Sequence, residues 1–201
     1  MTEPDRMADA SLIDTKAGLR REALARRDAL PAELRQAAAE TIASRAFPLE
    51  VRPGVVVSGF SPIGSEINPL PLMRRLAGRG ALLALPVVSG RSRPLMFRAW
   101  IFGEPLGKGV WGIREPRPDA REVDPDILLV PLAAFDRAGH RIGYGAGYYD
   151  LTLAGLRAHK PVVAVGLAYA AQEIPAVPAT ARDARLDLVL TEREVIDFRK
   201  A

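Results

Sequence analysis

Short, strongly apolar runs separated by helix-like segments constrain the fold of this chain more than any other feature of its sequence. The runs cover residues 55–57, 81–86, 127–131, 162–166 and 186–190, and a further run at 95–100 alternates in polarity. Short continuous apolar runs are typical of strands buried on both faces of a parallel sheet. Helical segments between such strands cover those two faces. The pattern therefore predicts a three-layer α/β/α fold of the Rossmann type, with a mostly parallel sheet.

Two helices are predicted to precede the first strand. Asp14 or Thr15 is a suitable N-cap for the first of them, and Pro31 is suited to the start of the second. Residues 1–13 lie before the predicted cap and are expected to be a flexible tail. The remaining residues, 14–201, are expected to form a single domain, because one hydrophobic core can support a chain of this size.

Composition excludes several kinds of chemistry. The chain has no cysteine and only two histidines, which excludes thiolate nucleophiles, disulfides and Cys-ligated metals and disfavours a multi-histidine metal site. Its net charge of +4 favours anionic ligands, but the cations are spread along the chain and not clustered with aromatics, as nucleic-acid binding requires. No apolar run approaches the roughly 20 residues of a membrane span, and the acidic N-terminus is unlike a signal peptide. We therefore expect a cytoplasmic protein with small anionic ligands and no nucleic-acid or membrane partner.

The segment 141–150, Arg-Ile-Gly-Tyr-Gly-Ala-Gly-Tyr-Tyr-Asp, predicts a phosphate site. Alternate glycines allow backbone N–H groups to approach an anion, and a helix predicted directly behind them contributes its N-terminal dipole. Arg141 and Asp150 flank the glycines with a cation for phosphate and an oxygen ligand for a divalent metal such as Mg²⁺. The segment lacks the Gly-Lys-Ser/Thr end of a Walker loop and the spacing of a dinucleotide fingerprint. A turn-rich loop with packed tyrosines is the alternative.

Other charged residues are weaker candidates when each is taken alone. Lys16 and Arg20 stand four residues apart on one helix face and could clamp a triphosphate, although a solvated helix face is the better explanation of the pair taken alone. Glu66 lies between a strand and a helix, where the helix dipole favours an acid. Asp183 precedes the last strand, where turn formers are common. Loops that follow parallel strands meet at one sheet edge, so we expect the loops carrying these residues to converge.

Together these segments resemble the 5-formyltetrahydrofolate cyclo-ligase family. The resemblance spans nearly the whole chain, and the Arg-x-Gly-Tyr-Gly-x-Gly-Tyr-Tyr-Asp motif is its most specific part. It implies an ATP- and Mg²⁺-dependent enzyme that converts 5-formyltetrahydrofolate to 5,10-methenyltetrahydrofolate, with ATP as co-substrate and release of ADP and phosphate. We expect a monomer that acts on these small molecules. A non-catalytic nucleotide- or folate-binding paralogue, and an RNA-binding protein that uses the basic N-terminal helices, are the alternatives.

The resemblance also implies roles for individual residues. Arg141 and Tyr148 would be catalytic, and Asp150 and Asp183 would ligate Mg²⁺. The ATP-binding residues would be Lys16, Arg20, Arg141, Gly143, Tyr144, Gly145, Ala146, Gly147, Tyr148 and Tyr149. The substrate-binding residues would be Glu66, at the pteridine ring, with Tyr144, Gly145, Ala146, Gly147 and Tyr148. Trp111 would either stack on the folate or anchor its own loop.

Three positions depart from the usual pattern of this family. Ala146 stands where glycine is common, Leu151 where arginine is frequent, and Arg182 where histidine is often found. The first bears on how closely the loop can approach a phosphate, and the second removes a cation. These departures leave room for a divergent paralogue with altered activity.

Overall fold

A seven-stranded sheet between helices organises the fold. The computed structural model describes the backbone of residues 3–200 and the side chains of residues 12–110 and 112–199. The helices are α1 (Glu3–Asp28), α2 (Ala32–Ser44), α3 (Leu70–Ala77) and α4 (Tyr148–Arg157). The strands are β1 (Val56–Ser58), β2 (Leu82–Val87), β3 (Met96–Ala99), β4 (Gly107–Lys108), β5 (Arg114–Glu115), β6 (Ile127–Pro131), β7 (Ala134–Phe135), β8 (Arg141–Ile142), β9 (Val163–Leu167), β10 (Leu188–Leu190) and β11 (Val195–Asp197).

The sheet is parallel except at its two edges. Its strand order is β11-β10-β9-β6-β1-β2-β3. The inner strands from β10 to β2 pair in parallel, whereas β3 and β11 pair antiparallel with their neighbours. Two short hairpins, β4–β5 and β7–β8, lie outside this sheet. The predicted mostly parallel α/β fold is confirmed.

The direction of winding reverses between β1 and β6. From β1 the chain passes outward to β2, whereas from β6 it passes to β9 and β10 on the other side. These two strands are direct neighbours, with Val57 opposite Ile127 and Ser58 opposite Leu128. Connections that leave adjacent strands in opposite directions open a crevice at the carboxyl ends of those strands, where ligands bind in folds of this kind.

The side chains of each buried strand supply two separate cores, which explains why the strands are apolar without interruption. On β6, Ile127 and Leu129 belong to the core under α2 and α3, whereas Leu128 and Val130 belong to the core under α4. Successive side chains of a strand point to opposite faces. A third, small core packs α1 against the β7–β8 hairpin through Ala23.

The N-terminal region differs from the prediction. Helix α1 begins at Glu3, so Asp14 and Thr15 lie within the helix and the predicted cap is wrong. The flexibility of residues 1–13 stays a prediction, and residues 1–2 lie outside the described range. Helix α2 begins directly after Pro31, as predicted. Within the described part of the chain, no helix is both long and apolar enough to cross a membrane.

Candidate active site

A cavity of about 620 Å³ lies at the reversal point of the sheet. Ser61, Val88 and Pro131, at or just beyond the carboxyl ends of β1, β2 and β6, form part of its wall. Every residue predicted from the sequence to belong to the catalytic, ATP-binding, substrate-binding or metal site also lines this cavity. These residues are Lys16, Arg20, Glu66, Arg141, Gly143, Tyr144, Gly145, Ala146, Gly147, Tyr148, Tyr149, Asp150 and Asp183. The structure therefore brings together residues that are far apart in the sequence.

The glycine loop, residues 143–147, runs from β8 to the first turn of α4. Gly145 has φ +99° and Gly147 has φ +69°, and Gly147 is the N-cap of α4. These left-handed conformations favour glycine, because a Cβ is strained there. Gly143 does not have a positive φ, and a Cβ added to it would meet nothing within 4 Å. The loop therefore requires glycine at two positions and presents its backbone at the N-terminus of a helix, as an anion site needs.

Arg141 and Asp150 form an ion pair that is built into the fold at one end of this loop. Arg141 Nη2 donates to Asp150 Oδ1 at 2.7 Å, and the Arg141 side chain is only 4% exposed. Arg141 Nη1 also donates to the carbonyl oxygen of Ala184, whose N–H donates to Asp150 Oδ1 at 3.0 Å. The pair thus joins β8, the start of α4 and the segment before β10.

Lys16 and Asp183 form a second ion pair across the cavity wall. Lys16 Nζ donates to both carboxylate oxygens of Asp183, at 2.7 and 2.8 Å. The N–H and hydroxyl of Thr180 donate to Asp183 Oδ2 at 2.6 and 2.8 Å. Burial acts to raise the pKa of Asp183, but these hydrogen bonds outweigh it and hold the pKa below the ordinary value. Asp183 is therefore a carboxylate at neutral pH.

Arg20 lies one helical turn beyond Lys16 and supports the glycine loop. Its Nε donates to the carbonyl oxygen of Gly143 at 2.7 Å. A Cβ placed on Gly145 would lie 3.8 Å from its guanidinium carbon. Lys16 and Arg20 are both partly buried and line the cavity, so they do not form a solvated helix face.

Glu66 follows β1 and lines the same cavity as the two ion pairs. Its Oε2 accepts a hydrogen bond from the Ile63 N–H at 2.7 Å, and the Tyr144 hydroxyl acts as a hydrogen-bond donor that lowers the pKa of its carboxyl. Burial raises the pKa of Glu66 more than these hydrogen bonds lower it. The arrangement provides a carboxylate with remaining acceptor capacity for N–H donors of a ligand.

Residues 13–192 of this chain match the sequence model of the 5-formyltetrahydrofolate cyclo-ligase family. The chain belongs to this family. A 5-formyltetrahydrofolate cyclo-ligase of Mycolicibacterium smegmatis is 33% identical over 90% of this chain and 96% of its own length. That of Escherichia coli K12 is 33% identical over 86% of this chain and 98% of its own length. The resemblance stated from the sequence is thereby confirmed.

Solved structures agree with this assignment. The NMR structure of Aquifex aeolicus 5,10-methenyltetrahydrofolate synthetase superposes with a TM-score of 0.76 at 31% identity, and covers 92% of this chain and 94% of its own. A 5,10-methenyltetrahydrofolate synthetase from Mycoplasma pneumoniae has a TM-score of 0.69 at 22% identity, over 88% of this chain and 98% of its own. The second likeness supports the fold alone.

The carboxylates of the cavity can hold Mg²⁺ only if water molecules or substrate phosphates supply the remaining oxygen ligands. Among the described residues, no group of three or more His, Cys, Asp or Glu side chains is arranged to hold a metal ion. Asp150 and Asp183 both line the cavity. Mg²⁺ is usually held by one or two carboxylates together with waters and substrate phosphates. Among the described residues, both hydrogen bonds to the Asp150 carboxylate end on Oδ1, which leaves Oδ2 for such an ion.

The departures from the family pattern are compatible with this geometry. Ala146 does not have a positive φ, so alanine fits the backbone at the one loop position where glycine was expected. Leu151 and Arg182 are exposed and do not belong to the cavity wall. The Trp111 side chain lies outside the described residues. The departures therefore leave the charged groups of the cavity in place.

Sequence reasoning missed the apolar part of the cavity and one buried cation. Phe60, Ile63 and Ile113 line the cavity, but no sequence pattern separates them from other apolar loop residues. Pro131 ends β6, and the rule that ligands bind at the carboxyl ends of strands could have identified it. Arg27 is buried beside the cavity residue Tyr144. Because other arginines lie close to it in the sequence, no sequence pattern distinguishes it from them.

Proposed function

We propose that this protein is a 5-formyltetrahydrofolate cyclo-ligase that uses ATP and Mg²⁺ and produces 5,10-methenyltetrahydrofolate, ADP and phosphate. The observation that carries the proposal is the cavity at the sheet reversal, whose wall includes both the glycine loop and Glu66. Membership of the family supports the same conclusion. We also propose that the protein acts in the cytoplasm, as a monomer.

The cationic end of the cavity is suited to a triphosphate. Lys16, Arg20 and Arg141 line it together with the glycine loop at the N-terminus of α4. Arg141 has more N–H donors than the two that its partners use, so it can bind phosphate without leaving them. Asp150 and Asp183 would hold Mg²⁺, which when bound supplies charge neutralisation to the phosphates. Positioning and charge neutralisation are what phosphoryl transfer chiefly requires.

The proposed reaction needs no nucleophilic side chain. The formyl oxygen attacks the γ-phosphorus of ATP, and the bond to the bridging oxygen breaks to release ADP. The N10 amine then attacks the carbon of the phosphorylated formyl group and loses its proton, so the new C–N bond forms and the C–O bond breaks to release phosphate. Arg141 and Tyr148 line the cavity on the side of the glycine loop, where they would stabilise the transferred phosphoryl group. The absence of cysteine from the chain is consistent with this chemistry.

The part of the cavity around Glu66 is suited to the pteridine ring. Glu66 accepts from the Ile63 N–H and has acceptor positions left for ring N–H groups. Phe60 and Ile113 add apolar surface to the same cavity. We propose that folate lies here, with its formyl group directed toward the glycine loop.

The deciding experiment mixes the purified protein with Mg²⁺, ATP and 5-formyltetrahydrofolate, and follows the absorbance of the methenyl product together with ADP release. We expect both to rise in equal amounts, and only when all three components are present. Binding of ATP without any product would instead support a non-catalytic paralogue. Gel filtration of the same sample tests the monomeric state.

A further inference from the structure

Arg27 is an almost completely buried cation that no site prediction includes. It is 6% exposed, whereas its neighbour Arg26 is exposed. Arg27 lies seven residues beyond Arg20, which places both on the same face of α1. A guanidinium is costly to bury unless its N–H groups find acceptors. The partners of Arg27 therefore indicate why it is held there.

Those partners come from two loops that line the active-site cavity. Arg27 Nε donates to Ser65 Oγ at 2.9 Å, and Nη1 donates to the Tyr144 hydroxyl at 2.6 Å. The guanidinium carbon lies 5.9 Å from the centroid of the Tyr144 ring. The Asp28 carboxylate, 3.4 Å from Nε, supplies a counter-charge. Arg27 therefore bridges the loop after β1 and the glycine loop.

The bond from Arg27 determines what the Tyr144 hydroxyl can do. A guanidinium only donates, so the hydroxyl oxygen accepts from Arg27 and the single hydroxyl proton is left for another acceptor. Glu66 is the acceptor group next to it, and the Tyr144 hydroxyl lowers the pKa of the Glu66 carboxyl as a hydrogen-bond donor. Arg27 also holds Ser65, the residue that directly precedes Glu66 in the chain. Arg27 therefore fixes both the backbone next to Glu66 and the hydroxyl that acts on its carboxylate.

We propose that Arg27 is a positioning residue for substrate recognition, which aims the Glu66 carboxylate by holding both Ser65, its neighbour in the chain, and the Tyr144 hydroxyl. This inference rests on the proposed function, in which Glu66 binds the pteridine ring. Because Tyr144 belongs to the glycine loop, the same contact ties the phosphate side of the cavity to the folate side. Arg27 itself touches neither substrate.

Kinetics of Arg27→Met, Tyr144→Phe and the double variant test the coupling. Loss of a hydrogen bond to a charged group should raise the KM for 5-formyltetrahydrofolate by about tenfold or more in each single variant. The KM for ATP should change by less than about threefold, which corresponds to less than half that free energy. The double variant should be no worse than the worse single variant, because the two residues act through one contact. Multiplied effects in the double variant would overturn the proposal.

Arg26→Met is the matched control, since it removes an exposed arginine from the next position of the same helix. Its Nε donates only to the carbonyl oxygen of Ala171, at 3.0 Å, among the described residues. We expect both KM values to stay within about twofold of the wild type, as for most exposed substitutions. If Arg27→Met does not fold, Arg27→Lys replaces it. Lysine keeps the charge but lacks the planar fork that binds two acceptors, so the folate KM should still rise.

A second measurement needs no substrate. NMR titration of ¹³C-labelled glutamate carboxyls follows Glu66, which is assigned by the signal lost in Glu66→Gln. Removing a donor to the carboxylate raises its pKa, so Glu66 should titrate at higher pH in Tyr144→Phe and in Arg27→Met than in the wild type. Arg26→Met should leave this titration unchanged.

The two measurements separate the positioning role from the proposed function. If the titration shifts as expected but the wild type makes no methenyl product, the contact is established and only the cyclo-ligase function fails. If the wild type is active and the titration of Glu66 is the same in all variants, Arg27 has a structural role alone and the inference is overturned.

Discussion

The two ion pairs of the cavity have the same length but different surroundings. Arg141–Asp150 and Lys16–Asp183 each join nitrogen and oxygen at 2.7 Å. The Arg141 side chain is 4% exposed and also binds the carbonyl oxygen of Ala184. The Lys16 side chain is 17% exposed and, among the described residues, binds Asp183 alone. The first pair is part of the fold, whereas the second is a contact between a helix and a loop that a ligand can replace.

This difference gives the two cations different expected tasks. Arg141 keeps its partners when a phosphate arrives, because its guanidinium has further N–H donors. Lys16 has to share or release Asp183, since the ammonium group is a single point charge. We therefore expect Arg141 to contribute to both stability and catalysis, and Lys16 chiefly to ATP binding.

Arg141→Met should have the largest combined effect on stability and turnover. If it does not, the two ion pairs do not differ as described. The substitution leaves Asp150 partly buried without its cation and also removes a donor to Ala184. Breaking a buried pair costs about 3 kcal/mol or more, so we expect the free energy of unfolding in urea to fall by about that amount. Turnover should fall by at least about a hundredfold, as when one preorganised donor to a transition state is removed. An unchanged urea midpoint would mean that the pair does not belong to the fold.

Asp150→Asn should abolish turnover but leave the fold intact. The amide oxygen of asparagine can still accept from Arg141 and from the Ala184 N–H, so the protein should still fold, with a smaller loss of stability than in Arg141→Met because these hydrogen bonds are kept. A neutral amide is a poorer ligand for Mg²⁺ than a carboxylate. We expect initial rates measured over a Mg²⁺ series to stay near the background. A Mg²⁺ dependence like that of the wild type would show that Asp150 is not the ligand.

Lys16→Met should affect ATP binding more than stability. The pair it breaks is partly exposed, and such pairs contribute about 1 kcal/mol or less. The KM for ATP should rise by about tenfold or more, because a charge-assisted contact to phosphate is lost. The KM for 5-formyltetrahydrofolate serves as the internal control and should change little. A loss of stability as large as that of Arg141→Met would show that the two pairs are equivalent.

The smallest expected effect is a change in the acid stability of Lys16→Met. Burial raises the pKa of Asp183, but hydrogen bonds from Lys16 and Thr180 outweigh it and hold the pKa below its ordinary value. A carboxyl with a lowered pKa in the folded state contributes stability above its unfolded pKa and loses it as pH falls through the folded pKa. Removing Lys16 raises the folded pKa toward the unfolded value, so Lys16→Met should lose less stability than the wild type as the pH falls, and the two stability curves should converge in acid.

Urea unfolding between about pH 2 and 5, the range in which a carboxyl with a lowered pKa loses its contribution to stability, measures that change. In an Asp183→Asn background, Lys16→Met should no longer shift the acid side of the curve, because the titrating group is absent. Parallel curves for the wild type and Lys16→Met would mean that Lys16 does not act on Asp183 in solution.

The parts of the fold that the sequence predicted are those with a local pattern. The run 127–131 is apolar throughout, and β6 occupies that range with side chains in two cores. The glycine loop was predicted because Gly145 and Gly147 need conformations that other residues avoid. By contrast, β7 and β8 have two residues each and form a separate hairpin. Strands of this length are too short for a pattern to appear.

The sequence by itself determined the kinds of element and the groups available for chemistry. Which groups meet was decided only by the tertiary structure. Lys16 and Asp183 stand 167 positions apart, and no local pattern specifies that contact. Arg26 and Arg27 are neighbours of identical chemistry, yet one is exposed and the other buried. The physical reason is that helix periodicity turns adjacent side chains about 100° apart, and only the packing of α1 on the glycine loop decides which of them faces the site.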